Sequence, residues 1–117
     1  MTIAEYDSIS AVSISTTEIS IISGTSSLSN DTTDGFFQLY VDGIAAGMAK
    51  GDIFEIKIYE KVLSGSTKRV VFQARLYNAQ SEIFVTPPLL LMHGWDMTLK
   101  KIAGTDRSFD ASIRQVA

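Results

Sequence analysis

Period-two alternation of apolar and polar residues, turn residues at short intervals, and the lack of a convincing helical stretch predict an all-β protein. The expected form is an antiparallel β-sandwich, jelly-roll-like, with about eight strands. A Greek-key sandwich of another topology is the alternative. Residues 8–33 are about half Ser and Thr. Within them Val12 and Ile14 alternate with Ser13 and Ser15, and Ile19 and Ile21 with Glu18 and Ser20. Strands are therefore expected near residues 9–15 and 18–23. Ser15-Thr16-Thr17-Glu18 has the spacing of a helix capping box, but the residues after it are β-branched and alternating, so no helix starts there. Residues 24–35 read as a polar loop or an arm that orders on a partner.

Further along, Phe37, Leu39 and Val41 share one face of a third strand. Residues 43–51, with three glycines, form a loop or at most a turn or two of helix. Phe54, Ile56 and Ile58 alternate with Glu55, Lys57 and Tyr59, and Val70, Phe72, Ala74 and Leu76 make the partner strand across Ser64-Gly65-Ser66. Since all the inward residues of that pair are even-numbered, facing numbers must sum to an even value, which centres the turn near residue 65 or 66. Residues 83–86 form a short strand, and Pro87-Pro88 forbids ladder donors there. Leu89 to Met92 is apolar at every position, as in a strand covered on both faces. Trp95, Met97 and Leu99, and then Phe109, Ala111 and Ile113, supply two last strands. A hairpin closed near Gly104 would pair Lys100 with Asp110 and Asp96 with Arg114.

The chain has 117 residues, the size of one domain, and 45% hydrophobic residues, too many for disorder. The division expected is an N-terminal arm over residues 1–8 and a single β-sandwich domain over residues 9–117. The arm and residues 24–34 have few large apolar side chains, so neither is expected to order itself by burial. Another chain would have to supply the surface. Net charge is −3, without the basic excess of a nucleic-acid binder. Without cysteine, disulfides, zinc–thiolate sites and thiol catalysis are excluded. Residues 1–7 lack the basic and apolar segments of a secretory signal, and no apolar run approaches the ~20 residues that span a bilayer.

Candidate chemistry is sparse. His93 is the sole histidine, with no triad or metal-ligand spacing around it, so it reads as structural. Glu55, Glu60, Glu82, Asp96, Asp106 and Asp110 are scattered and read as solvated strand faces and turn ends. The stretch Asn30-Asp31-Thr32-Thr33-Asp34-Gly35 lacks the distal Glu of a calcium loop. Residues 43–51 lack the Lys-Ser/Thr of a phosphate loop. No catalytic, cofactor-binding or metal-binding residue is assigned, and no cofactor is expected. Trp95 with Tyr40, Tyr59 and Tyr77 could form a sugar-stacking platform, although Trp95 falls on the core face of its strand. Tyr59 and Tyr77 lie opposite the apolar set of their strands, which suits an interface. The edge near Ile19 and Ile21 could add a strand to a neighbour.

Several runs carry a resemblance. Phe37-Gln38-Leu39-Tyr40-Val41-Asp42 precedes Gly51-Asp52-Ile53-Phe54-Glu55-Ile56-Lys57-Ile58-Tyr59-Glu60-Lys61. Then come His93-Gly94-Trp95-Asp96-Met97-Thr98-Leu99-Lys100-Lys101, Gly104-Thr105-Asp106-Arg107-Ser108-Phe109 and Ser112-Ile113-Arg114. Over residues 35–117 the chain resembles small capsid decoration (cement) and head structural proteins of tailed bacteriophages. The matching motifs are fold-bearing strands and turns, so no functional residue transfers from them. The resemblance implies a jelly-roll-like, non-enzymatic virion subunit, often a homotrimer, on the outer capsid surface and made in the host bacterial cytoplasm. Its partners would be itself and a major capsid protein, with no nucleic acid and no membrane. The competing readings are a carbohydrate-binding β-sandwich module on a virion or cell surface, and a small β-sandwich enzyme that no residue constellation supports.

Overall fold

The computed structural model describes residues 2–116. Nine strands lie among them: β1 (Ile3–Ile14), β2 (Ile19–Ser20), β3 (Gly35–Asp42), β4 (Ile53–Glu60), β5 (Arg69–Tyr77), β6 (Phe84–Val85), β7 (Leu89–Leu91), β8 (Asp96–Ala103) and β9 (Arg107–Val116). They form two antiparallel sheets, β1-β9-β3 with β6 and β7 both along the far side of β3, and β2-β8-β4-β5. The first strand thus pairs with the last, β2 with β8, β3 with β7, and β4 with β5. This is one long hairpin rolled up so that successive pairs fall in alternate sheets, the connectivity of a jelly roll. The antiparallel β-sandwich expected from the alternation is therefore the fold.

Alternation places the apolar sets between the sheets. Phe37, Leu39, Val41, Phe109, Ala111 and Ile113 come from one sheet, and Phe54, Ile56, Ile58, Met97 and Leu99 from the other. All are buried. Phe54 meets Phe109 edge-on across the sandwich at 4.7 Å between ring centres. At one end Trp95 packs against Phe37 and Tyr6, and its indole N–H donates to the Thr33 carbonyl at 2.8 Å. The β4–β5 hairpin keeps the even register, with Phe54 opposite Leu76 and Ile58 opposite Phe72. A bulge after Ile58 then shifts the register, so the connection itself spans residues 61–68.

Several expectations are corrected. β8 and β9 are not a hairpin: they lie in opposite sheets, and residues 104–106 cross between them. Lys100 faces Glu55 and Asp110 faces Asp42. Two strands with inward residues of equal parity satisfy the same number rule side by side or face to face, and here they meet across the core. The crossing is held by Asp52, whose carboxylate accepts from Ala49 N (2.9 Å), Thr105 N (3.0 Å) and Arg107 Nε (2.8 Å). Gly104 has φ +94°, and a β-carbon there would collide with Asp52.

The N-terminal arm at residues 1–8 is also corrected. Ile3 to Ser8 form the first half of β1, paired with β9 from Val116 to Ser112. Met1 lies outside the described residues. Main-chain hydrogen bonding and the packing of Tyr6 order this segment, which a count of apolar side chains could not foresee. The polar loop of residues 24–34 is ordered from within as well. Asp96 is fully buried and accepts from Ser20 Oγ (2.7 Å), Ser29 N (2.9 Å) and Met97 N (2.8 Å), while Lys68 Nζ donates to the Ser29 carbonyl. Lastly, β7 is covered on one face only: Leu91 is buried, but Leu90 is 71% exposed.

Candidate functional site

The outer face of the β1-β9-β3 sheet carries the feature that alternation concealed. In register across four strands, Ile3 faces Val116, Val116 faces Phe36, and Phe36 faces Leu90. Directly opposed residues share a face, so these four side chains form one apolar row on the outside of the sandwich. Ile3 is 63% exposed and Phe36 47%, and Val116 is half-buried between them. Met92, just beyond β7, is exposed as well.

Phe36 and Val116 form a ridge between two grooves. One, of about 440 Å³, is bounded by Ile3, Gln38, Tyr40, Pro88 and Arg114. The other, of about 610 Å³, is bounded by Asp34, Leu90, Leu91, Met92 and Gln115. The next row along the sheet is polar: Glu5 faces Arg114, and Arg114 faces Gln38. The Arg114 guanidinium lies over the Tyr40 ring, 3.7 Å from its centre, so its charge is held flat against the sheet. An apolar row with a polar margin has the make-up of a protein-docking surface, in which burial supplies affinity and the rim supplies orientation.

The interface residues named from the sequence are dispersed. Ile21 is fully buried in the chain's own core, and Ile19 is half-buried on β2, opposite Leu99. The alternation presents that edge as open to a neighbour, but β2 is two residues long and the chain turns inward after it. Tyr59 is half-buried and donates to Glu18 Oε2 at 2.7 Å; burial and the Glu18 carboxylate push its hydroxyl pKa up. Tyr77 is on open surface at the far end of β5. The four aromatics of the sugar platform do not converge. Trp95 is in the core, Tyr40 lies under Arg114, and Tyr59 and Tyr77 sit at opposite ends of the β4–β5 hairpin.

The carboxylates are structural at more positions than their strand faces suggest. Glu55 is buried on the outer face of the second sheet and takes Arg75 Nε at 3.1 Å, Lys57 Nζ at 3.4 Å and Gln73 Nε2 at 2.8 Å. Burial pushes its carboxyl pKa up, but Arg75 and Lys57 outweigh that and hold it below the usual range. Glu60 accepts from the Met92 and His93 amides, fixing the bend before Trp95. The His93 ring enters no hydrogen bond or ion pair found among the described residues. Asp106 pairs with Lys101, Asp110 accepts from Ala11 N, and Glu82 is exposed. Asp31 binds Tyr6 and Thr33, so residues 30–35 act as a tied connection. Among the described residues no group of three or more His, Asp or Glu is placed to hold a metal ion.

The signal for the exposed row was present in the sequence. In Phe36-Phe37, alternation sends one ring inward and the other out, and an unbroken run at Leu89 to Met92 must do the same unless a further layer covers it. Comparison with known protein families, curated proteins and solved structures finds no match to this chain.

Proposed function

We propose that this protein is a non-enzymatic structural subunit of a virion, a decoration or cement protein that holds to a capsid shell through the outer face of the β1-β9-β3 sheet. The observation that carries this reading is the apolar row Ile3–Val116–Phe36–Leu90, continuous over four strands and bordered by grooves. Covering four half-exposed side chains of this size supplies roughly 3–6 kcal/mol, at ~1.5–3 kcal/mol for each one fully buried. The resemblance of residues 35–117 to phage head proteins names the class of partner, and the jelly-roll connectivity accords with it without deciding function.

The test is co-sedimentation of the purified chain with shells assembled from the major capsid protein of the same genome. The native chain pellets with the shells, and Phe36→Glu does not, while its circular dichroism and melting stay close to native because Phe36 points away from the core. A native chain left in the supernatant, or a Phe36→Glu variant that pellets undiminished, overturns the reading.

A further inference from the structure

The margins of the two sheets differ in how far they are guarded against pairing with another strand. β1 is broken by bulges after Glu5 and after Ile9, so its regular runs are short. The β6–β7 margin is interrupted by Pro87-Pro88, and β2 is two residues long. β5 is unlike these. From Phe72 to Tyr77 it runs in unbroken register along β4, with no proline or glycine. Its one charged side chain in that stretch, Arg75, is bound to Glu55, which Lys57 shares, so the charge that would guard the edge is partly offset.

The direction of its free main-chain groups follows from one bond. Asn78 N donates to the Asp52 carbonyl at 2.8 Å, just beyond the end of the β4–β5 ladder. Along an antiparallel strand, N–H and C=O groups point to alternate sides. Phe72, Ala74 and Leu76 therefore bond β4, and Gln73 and Arg75 present their N–H and C=O groups outward, while the Tyr77 carbonyl is already taken by Gln80 Nε2 at 2.9 Å. Beside them Val70, Val71 and Tyr77 are exposed, and the inward-facing Phe72 and Ala74 are only half-buried at the open margin of the sandwich.

We infer that the β5 edge pairs with β5 of a second copy of this chain, antiparallel about a two-fold axis at Ala74. This rests on the reading of the protein as a structural subunit and adds how its copies meet. The strand is self-complementary in that register. Gln73 faces Arg75 of the second copy in a pair that exchanges both outward hydrogen bonds. Phe72 faces Leu76 on the inner face, closing the open margin. Shifting the axis to residue 75 would set Arg75 against itself, and shifting it to residue 73 would run the pairing into the bulge at Val71. A two-fold contact makes a dimer, in place of the trimer that the family resemblance implies.

Light-scattering mass measurement on the purified chain, without any shell, tests this separately from shell docking. The native chain has twice its 12.8 kDa chain mass. Gln73→Pro deletes an outward N–H that β4 does not use, and its mass falls to that of one chain; Gln73→Ala keeps the N–H and stays dimeric. Amide exchange of the native chain gives a reading that needs no variant: Gln73 and Arg75 are protected, and the protection falls on dilution. A native monomer or trimer, a Gln73→Pro variant that still dimerises, or fast exchange at both amides in concentrated solution overturns the inference. Phe36→Glu leaves the dimer intact, so a loss of shell binding and a loss of pairing are told apart.

Discussion

Asp52→Asn changes a single oxygen to an amide at the point where three donors converge. In the native protein one carboxylate oxygen accepts from Ala49 N and Arg107 Nε and the other from Thr105 N. An asparagine turned to keep the first pair sets its NH₂ against the Thr105 N–H; turned the other way, it sets the NH₂ against both Ala49 and Arg107. At least one charge-assisted bond is lost, at about 1.5–3 kcal/mol, and the others lose the carboxylate charge. The expected cost is about 2–4 kcal/mol, a large share of the ~5–15 kcal/mol that stabilises a domain. With a urea slope of about 2 kcal/mol/M, the unfolding midpoint at neutral pH falls by roughly 1–2 M.

The pH dependence checks the mechanism. Hydrogen bonds from Thr105 and Ala49, with Arg107 beside them, hold the Asp52 carboxyl below the usual carboxylate range. Its folded pKa is therefore lower than the unfolded value near 3.9. The stabilisation is complete above the unfolded pKa and is lost as pH falls through the folded one. The gap between native protein and Asp52→Asn should be flat from neutral pH down to about 5 and close below about 4. Urea titrations read at each pH measure it. A gap under about 1 kcal/mol at neutral pH, or one that persists unchanged into strong acid, refutes the clamp.

The core and the loop each give a further outcome. Leu76→Ala, at a side chain only 6% exposed, should cost about 2–5 kcal/mol in chemical denaturation, and a loss below ~1 kcal/mol would mean that this face of β5 is not core. Burial of Asp96 raises its carboxyl pKa against the bonds from Ser29, Ser20 and Met97. The folded state thus holds that proton more tightly than the unfolded chain, and this group's contribution to stability grows as pH falls through the raised pKa. Asp96→Asn should abolish that acid-side gain and, by setting an NH₂ near the Ser29 amide, speed protease cleavage within residues 24–34. Cleavage at the native rate would show that Asp96 does not hold the loop.

Much of the strand content was legible because alternation is a local property. A strand with Phe54, Ile56 and Ile58 on one side and charged residues on the other can be half-buried one way round, whatever lies beside it. The inward face of every long strand from β3 onward, and the even register of β4 with β5, came from that parity. Parity is silent on neighbours. It allowed β8 and β9 to lie side by side as readily as across the core, and the roll of the whole chain chose the second. The polar clamps were hidden for a related reason. Asp52, Glu55 and Asp96 occupy turn or outward positions, and in sequence they look like any solvated carboxylate. They are buried because residues distant in the chain, Thr105 and Arg107, Arg75, and Ser20 with Ser29, are brought over them, and a donor's arrival from another strand leaves no periodic trace. Which face each side chain takes was determined by the sequence alone, through the two-residue period of the backbone. Which faces are then covered, and therefore which apolar row and which strand edge remain open to a partner, was decided only when the two sheets closed on each other.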